Sequence, residues 1–361
     1  MSLVFPAALS GPPPAAERAL ALHDRRVRVD GLGVQYLEAG SGAPLLLVHG
    51  HAQSAIGWRW VIPALARSHR VLALSLPGYG GTAALGAYGP GRDTAPFVAA
   101  FLDALWVGPL DVVGHSAGGA VALRLALTDP ARVRSLVLVD SAGLGREVHP
   151  LLAVNTLPVL GELAILLTRL PGGAIGLATM SAAMLFAQPW RIPAQFLVEQ
   201  HDLASRPGQL EASTATARAL FDATGQRQVL LDQLPALTAP TLIVWGGCDR
   251  LLPAHHAHTA VDLLPHGRLA VIPDCGHLPH IERPDRFAAV LHNWLSEQHD
   301  PSPITTPAVT PTGSSNAAAP EPSSTDAARP PTRAHGGRTA GHGHRRTFDP
   351  HARLRSTGVQ R

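Results

Sequence analysis

The stretch Gly114-His115-Ser116-Ala117-Gly118 decides the fold of this 361-residue chain. An apolar run at 110–113 precedes it, and a second apolar run, 119–127, follows it. The pattern predicts a buried strand, a sharp turn and a helix. In that setting the spacing G-x-S-x-G lifts a serine hydroxyl above the end of a sheet. Ser116 is therefore the candidate nucleophile. The alternative is a glycine-rich loop in which the serine has no catalytic role.

A serine nucleophile requires a base, and the base requires an orienting acid. Two later apolar runs are followed by Asp249 and by His277, so the chain order is Ser, Asp, His. We expect His277 to be the base and Asp249 the acid. Asp140 also follows an apolar run and is the rival acid. Alternatively, Asp249 merely caps a helix that starts near Pro253.

The backbone amides that would bind an oxyanion are also placed by the pattern. The apolar run 44–48 ends at His49-Gly50, where a loop could offer the N–H of His51. The N–H of Ala117, at the start of the predicted helix, is the second expected donor. We expect the side chains of His51 and His115 to contribute packing, not proton transfer.

These motifs together identify a family resemblance. From about residue 26 to 295, the chain resembles the Ser-nucleophile branch of the α/β-hydrolase fold superfamily. The matching segments are His49-Gly50, Leu76-Pro77-Gly78-Tyr79-Gly80, Gly114 to Gly119, Trp245-Gly246-Gly247-Cys248-Asp249, and Gly276-His277-Leu278-Pro279-His280-Ile281-Glu282-Arg283-Pro284. The resemblance implies a mostly parallel, doubly wound α/β sheet with a helical cap, and a triad of Ser116, Asp249 and His277. Ser75 departs from the family pattern, which has Asp before Leu-Pro-Gly; that position is structural. A serine at the elbow disfavours the haloalkane dehalogenase and epoxide hydrolase branches, which use Asp there.

The alternation of strands and helices predicts the domain organisation. We expect a flexible N-terminal arm at 1–24 and an α/β-hydrolase core formed by 25–142 and 239–297. Regular alternation stops near residue 143, and a helical cap is expected at 143–238. The Pro-, Ser- and Arg-rich segment 298–361 lacks apolar periodicity and is predicted to be a disordered tail.

Composition excludes several functions. All 29 basic residues are Arg, which removes Schiff-base chemistry, Walker-type lysines and Ser-Lys dyads. The net charge of the chain is +3, but the excess of positive charge lies in the Arg-rich C-terminal segment. The rest of the chain, which we call the body, is close to neutral. The body therefore shows no basic footprint for nucleic acid, and no nucleic acid partner is expected.

Cysteine and histidine positions give no strong sign of a disulfide or a metal. Two cysteines, Cys248 and Cys275, do not make a disulfide framework. We expect them to act as small apolar side chains that fill space, and a disulfide bond between them is the alternative. On a helix His255 and His258 would share a face while His256 would not, and no Cys or carboxylate in the pattern completes a set. We expect a solvated helix face and no metal.

The chain shows no convincing membrane segment. Residues 1–21 lack the basic start and uninterrupted apolar stretch of a signal peptide. Residues 170–190 are uncharged and long enough to span a bilayer, but Pro171-Gly172-Gly173 interrupts them. We expect a lid helix lining an apolar pocket, no stable membrane insertion and a cytoplasmic location.

The predicted function is a serine hydrolase that cleaves an ester or related acyl bond of a small, largely apolar substrate through an acyl-enzyme. No metal or organic cofactor is implied. The alternatives are a carbon–carbon bond hydrolase of the meta-cleavage-product type and a non-catalytic small-molecule binder on the same fold. The sequence leaves the substrate and the oligomeric state open.

Overall fold

A computed structural model describes residues 21–83, 94–154, 156–157, 159–206 and 209–299. The predictions for the first twenty residues and for the tail beyond residue 299 fall outside the described residues.

An eight-stranded sheet forms the centre of the fold. Its strands are β1 His23–Val29, β2 Leu32–Ala39, β3 Ala43–Val48, β4 His69–Leu74, β5 Leu110–His115, β6 Val133–Val139, β9 Thr241–Gly246 and β10 Gly267–Ile272, and a separate hairpin contains β7 Phe221–Asp222 and β8 Gly225–Gln226. The order across the sheet is β1-β2-β4-β3-β5-β6-β9-β10. In this eight-stranded sheet, as far as the structure describes the chain, β2 runs antiparallel to both of its neighbours, and the other five strand pairs are parallel. The predicted doubly wound α/β sheet is thus confirmed.

The central strands are apolar on both faces because helices cover both sides of the sheet. Leu45, Leu46, Leu47 and Val48 of β3 are all fully buried. Their alternate side chains belong to two separate hydrophobic clusters, one on each face. Such strands read as continuous apolar runs, which explains why the sequence locates them well.

The helices fall into a core set and a cap set. The core helices are α1 Ile62–Leu65, α2 Thr94–Ala104, α3 Ala117–Thr128, α9 His255–Leu263, α10 Pro279–Glu282 and α11 Pro284–His299. The helices between β6 and β7, which we call the cap, are α4 Pro150–Val154, α5 Leu160–Thr168, α6 Gly173–Leu185, α7 Ala194–Ser205 and α8 Gln209–Leu220. Because these strands are parallel, the loops that follow β3, β5, β9 and β10 lie together at the carboxyl ends of the strands. We call this end of the sheet the sheet edge.

Element ends differ slightly from the expected boundaries. β1 begins at His23, inside the predicted arm, because it pairs with β2 as far as Glu38. α11 continues to His299, beyond the predicted end of the core. Within the described residues, no helix combines the length and apolar character that crossing a membrane requires. Residues 170–190 instead contain α6, which ends at Leu185.

Candidate active site

Ser116 lies at a strained turn between β5 and α3. Its backbone has φ 51° and ψ −119°, a region that non-glycine residues rarely adopt. A side chain on Gly114 would meet Gly118 O at 2.4 Å, and one on Gly118 would meet His49 O at 2.4 Å. Ser116 N–H donates to Val139 O at 2.9 Å, which ties the turn to β6. Both glycines are therefore required by close backbone approach, as the motif predicts.

His277 and Asp249 are brought together by the loops that follow β10 and β9. His277 Nδ1–H donates to Asp249 Oδ2 at 2.7 Å. A carboxylate oxygen accepts hydrogen bonds, so this contact fixes an N–H at Nδ1 of the ring. Its Nε2 atom is buried and has no hydrogen-bond partner within the described part of the chain. A free lone pair is thus available at Nε2.

Asp249, not Asp140, contacts the imidazole. Asp249 Oδ1 also accepts the amides of Leu251, at 2.8 Å, and Leu252, at 3.2 Å. The carboxylate therefore caps its own turn and holds the ring at the same time. Asp140 Oδ1 instead accepts Gly246 N–H at 2.8 Å. The structure thus places the rival acid behind the expected one.

A buried polar chain fixes the loop that carries His277. The His115 ring contacts two acceptors: its Nε2 lies 2.8 Å from the carbonyl oxygen of His277, and its Nδ1 lies 3.1 Å from Gln53 Oε1. A neutral ring has one N–H and donates to one of these two oxygens at a time. The same Gln53 oxygen accepts Gly50 N–H at 3.3 Å. Burial lowers the pKa of His115 well below its usual value, so the ring is neutral. Sequence reasoning missed Gln53, because nothing in the spacing links residue 53 to residue 115.

The loop after β3 is held by His49. Its Nδ1–H donates to Gly50 O at 2.8 Å, and its Nε2 accepts Leu76 N–H at 3.0 Å. Ser75, which departs from the family pattern, accepts Ala55 N–H on its hydroxyl at 3.2 Å. This position is structural, as expected.

The two amides expected to bind an oxyanion are unused. Among the described groups, none accepts a hydrogen bond from the backbone N–H of His51 or of Ala117. His51 lines the cavity described below, and Ala117 is the first residue of α3. Burial lowers the pKa of the His51 ring to about 4. The His51 ring is therefore neutral, which fits packing and not proton transfer.

Glu282 joins the cap to the His277 loop. Its buried carboxylate accepts three backbone amides, those of Ala187 at 3.1 Å, Gln188 at 3.0 Å and Gly276 at 2.8 Å. Beside it, His277 N–H donates to Leu185 O, the last residue of α6, at 2.8 Å. One end of the cap is thus fixed directly to the loop that carries the imidazole. Glu282 lies in the motif that the sequence singled out, but its contacts to the cap were not predicted.

A cavity of about 200 Å³ lies between the sheet edge and the cap. Ser116 and His277 line its floor, together with Leu251 and Leu252. The cap supplies mostly apolar side chains, namely Leu152, Ile165, Leu177, Met180, Met184, Leu185, Leu210, Ala217 and, just after α8, Phe221. The polar residues that the cap contributes to the cavity lining are uncharged, namely Ser181, Gln200, Ser213 and Thr214. Among the described lining residues, none is Arg, Asp or Glu.

A carboxylate does complete a set with the histidines of α9, so the expectation that none would was wrong. Glu147 Oε2 lies 2.6 Å from His256 Nε2 and 3.6 Å from His255 Nε2. Sequence spacing could not reveal this contact, since more than a hundred residues separate Glu147 from α9. His258 is exposed and takes no part in it.

The two cysteines are free thiols, Cys248 exposed and Cys275 buried. Their loops are adjacent, because Cys248 N–H donates to Cys275 O at 2.8 Å. Small apolar filling is the role that fits the buried Cys275.

Comparison with known proteins places the chain in a family. Residues 43–284 match the family model described as the alpha/beta hydrolase fold. The dihydrolipoyllysine-residue acetyltransferase component of the acetoin cleaving system of Pseudomonas putida is 34% identical over 274 residues, covering 74% of this chain and 68% of that protein. The 2-hydroxy-6-oxo-6-(2'-aminophenyl)hexa-2,4-dienoic acid hydrolase of Metapseudomonas resinovorans is 31% identical over 283 residues, covering 77% and 92%.

The solved structure of a membrane phospholipase A, described as a bacterial virulence factor, superimposes with a TM-score of 0.64. It is 27% identical, and the match covers 79% of this chain and 89% of that one. These three similar proteins carry names for three different reactions, so similarity fixes the family and not the substrate. The chain belongs to the α/β-hydrolase fold family.

Proposed function

We propose that this protein is a serine hydrolase that cleaves an ester or related acyl bond of a small, uncharged, largely apolar substrate. One observation carries the proposal. The elbow serine Ser116 and the free Nε2 of His277 line the same cavity, and no described residue of that cavity bears a carboxylate or a guanidinium. The candidate nucleophile and its base thus face a cavity without a charged carboxylate or guanidinium in its described lining, which suits a substrate with an uncharged acyl group.

The chemistry follows from these positions. Ser116 Oγ attacks the carbonyl carbon while its proton passes to His277 Nε2. Asp249, hydrogen-bonded at Nδ1, stabilises the imidazolium that forms. The tetrahedral intermediate then collapses, and the leaving alkoxide takes the proton from His277. A water molecule, deprotonated by the same nitrogen, releases the acid and restores Ser116.

The negative oxygen of each intermediate needs donors that are not already engaged. The amides of His51 and Ala117 meet this requirement, since no described group accepts from them. Each such donor is generally worth about 3–4 kcal/mol of transition-state stabilisation. The contacts of His49 and Gln53 with Gly50 support this role, because they fix the loop that carries the His51 amide.

Carbon–carbon hydrolysis is the second candidate, because a relative with 31% identity is named as a dienoic acid hydrolase. A dienoic acid carries a carboxylate at neutral pH, and such a group is usually bound by Arg or Lys. The chain has no Lys, and the described cavity lining has no Arg. The neutral His51 and His115 rings supply no cation either. The cavity therefore favours the uncharged ester.

Two matched substrates test this choice. The p-nitrophenyl ester of butyric acid and the p-nitrophenyl half-ester of succinic acid have acyl chains of equal length, but only the second carries a carboxylate. We expect a nitrophenolate burst equal to the enzyme concentration, and a kcat/KM at least about 10-fold higher for butyrate. A preference for the half-ester, or faster cleavage of a 2-hydroxy-6-oxo-dienoate, would favour the second candidate. Absence of turnover with tight ligand binding would indicate a non-catalytic binder.

A further inference from the structure

Asp140 is a buried carboxyl group that the proposed mechanism does not use. It follows β6, is completely shielded from solvent, and has a φ of 41°. Its Oδ1 accepts Gly246 N–H at 2.8 Å, whereas its Oδ2 has no N–H or O–H donor among the described residues. A buried carboxylate with an unpaired oxygen costs free energy of folding. A protonated carboxyl group would avoid this cost if its O–H had an acceptor.

The neighbours of Asp140 make its ionisation unfavourable. One carboxyl oxygen of Asp140, one of Asp249 and one ring nitrogen of His277 lie within 4.8 Å of one another. Burial raises the pKa of Asp140 well above its usual value, and the negative charges of Asp249 and Glu282 raise it further. The Gly246 amide acts in the opposite direction but more weakly than burial. Two carboxylates that share one buried site cannot both be ionised cheaply, and one of them retains a proton.

The remaining group near Asp140 is the thiol of Cys275. Burial raises the pKa of Cys275, and the proximity of Asp140 raises it further, so this thiol stays neutral. The ionisable groups that face Asp140 are thus Asp249 from the loop after β9, His277 and Cys275 from the loop after β10, and Glu282 from α10. Of these groups, only His277 has an N–H to donate to a carboxylate, and Asp249 already accepts it at 2.7 Å.

We propose that Asp140 is a positioning residue: its protonated carboxyl group donates a hydrogen bond to Asp249, and it becomes the substitute acid for His277 when Asp249 is removed. The inference rests on the proposed serine-hydrolase function. A protonated carboxyl group has one O–H donor, which satisfies Oδ2 and supports the Asp249 carboxylate from behind. When Asp249 is absent, Asp140 loses both the repulsion and the acceptor that keep it protonated. Asp140 already has a carboxyl oxygen within 4.8 Å of a ring nitrogen of His277, so its carboxylate can take over the freed Nδ1–H.

The substitution of Asp140 by Asn is the matched control. An Asn carbonyl can still accept Gly246 N–H, its amide can still donate to Asp249, and Asn tolerates positive φ. We expect the Asp140→Asn variant to keep kcat on p-nitrophenyl butyrate within about 3-fold of the wild type. We expect the Asp140→Ala variant, which has no donor, to lose about 10- to 100-fold in kcat with little change in KM. Equal kcat values for Asp140→Ala and the wild type, or a crippled Asp140→Asn, would overturn the positioning role.

The substitute role is tested in a background without Asp249. We expect the Asp249→Ala variant to keep activity that rises with pH as Asp140 ionises. We expect the double variant Asp249→Ala/Asp140→Asn to fall at least about 10-fold further and to lose that pH dependence. A double variant equal to Asp249→Ala, with the same pH profile, would overturn the substitute role. This comparison stays informative if Asp140→Ala fails to fold.

The failure of the proposed function would look different. If Ser116→Ala retains esterase activity, the serine mechanism itself is wrong. If Ser116→Ala is inactive while all Asp140 variants match their parents, only the role of Asp140 is wrong.

Discussion

The sheet edge and the cap close the same cavity but are held in different ways. At the sheet edge, polar contacts hold the proposed catalytic residues: Asp249 holds the ring of His277, and Val139 O holds the backbone amide of Ser116. The cap contributes mainly apolar side chains to the cavity. Directional hydrogen bonds fix atoms to within tenths of an ångström, whereas apolar contacts tolerate many shapes. Chemistry is therefore expected to depend on the edge, and substrate choice on the cap.

Helix α5 shows how different the cap is from the core. Gly161 and Ile165 line the cavity, while the opposite side carries the exposed leucines Leu160, Leu163, Leu166 and Leu167, which are 40–56% exposed. In the core the fully apolar segments, such as β3, are buried on both faces. Helix α5, with apolar residues on both sides, thus forms part of the wall between the cavity and the solvent.

The largest expected effect comes from Ser116, the proposed nucleophile at the sheet edge. Replacing Ser116 with Ala should lower kcat on p-nitrophenyl butyrate by at least about 1,000-fold, because the covalent step is removed. The fold should persist, since the backbone of residue 116, not its hydroxyl, makes the contacts to Val139 and Ala142. Ser181→Ala in the cap is the matched control, as Ser181 lines the same cavity. Equal losses of kcat in Ser116→Ala and Ser181→Ala would contradict the idea that the chemistry depends on the sheet edge and not on the cap.

The next effect concerns the junction of the two regions. The Glu282→Gln substitution places an amide NH₂ against backbone donors that now point at a carboxylate, so it should reduce the free energy of unfolding by about 2–4 kcal/mol. Urea denaturation measures this change. Glu297→Gln is the control, because Glu297 pairs with Arg268 at the surface and such pairs contribute less than about 1 kcal/mol. A Glu282→Gln variant as stable as the control would show that the cap does not depend on this junction.

The buried histidines of the edge predict an acid-sensitive core. Burial lowers the pKa of His280 to about 3, below its unfolded value of 6.5, so the unfolded chain binds the proton first. The stabilisation is complete above pH 6.5 and declines as the pH falls toward 3. At pH 5 the loss is about 2 kcal/mol from this ring. His49 and His51, whose pKa values are lowered to about 4, act in the same direction.

His280→Phe isolates this contribution. Both ring nitrogens of His280 are buried without partners among the described residues, and the ring packs against Trp58 and Phe287. The variant should match or exceed the wild type in unfolding free energy at about pH 7.5. It should lose about 2 kcal/mol less than the wild type between about pH 7.5 and pH 5. An unchanged pH dependence would mean that His280 is not kept neutral by burial.

The sequence predicts the edge far better than the cap. Strand ends carry recognisable turn residues, so Ser116, Asp249 and His277 could be located from short motifs that the sheet brings together. The choice between Asp249 and Asp140 required the structure, because both acids follow parallel strands and the sequence does not show which one contacts the imidazole. Contacts across long separations, such as Gln53 with His115 and Glu147 with His256, leave no trace in local spacing.

The cap could be outlined but not assembled from its sequence. Segments such as 151–170 and 174–186 are apolar throughout, so periodicity cannot tell the side facing the cavity from the side facing solvent. The structure divides the first of these segments into α4 and α5. The shape of the cavity depends on this arrangement, which is why the sequence could not predict the substrate.

The smallest expected effect is confined to substrate choice. Ala217 of α8 is buried and lines the cavity, so Ala217→Leu adds three carbons to a space of about 200 Å³. Short acetyl esters should keep their kcat/KM within about 2-fold, because the polar contacts of Ser116 and His277 are untouched. Octanoyl esters should lose about 10-fold, since one or two displaced methylenes are worth about 1–3 kcal/mol. Ala194→Leu is the control, because Ala194 is an exposed residue at the start of α7 and does not line the cavity. An equal loss for acetyl and octanoyl esters would mean that the cap also positions the catalytic groups, and the separation between the two regions would then fail.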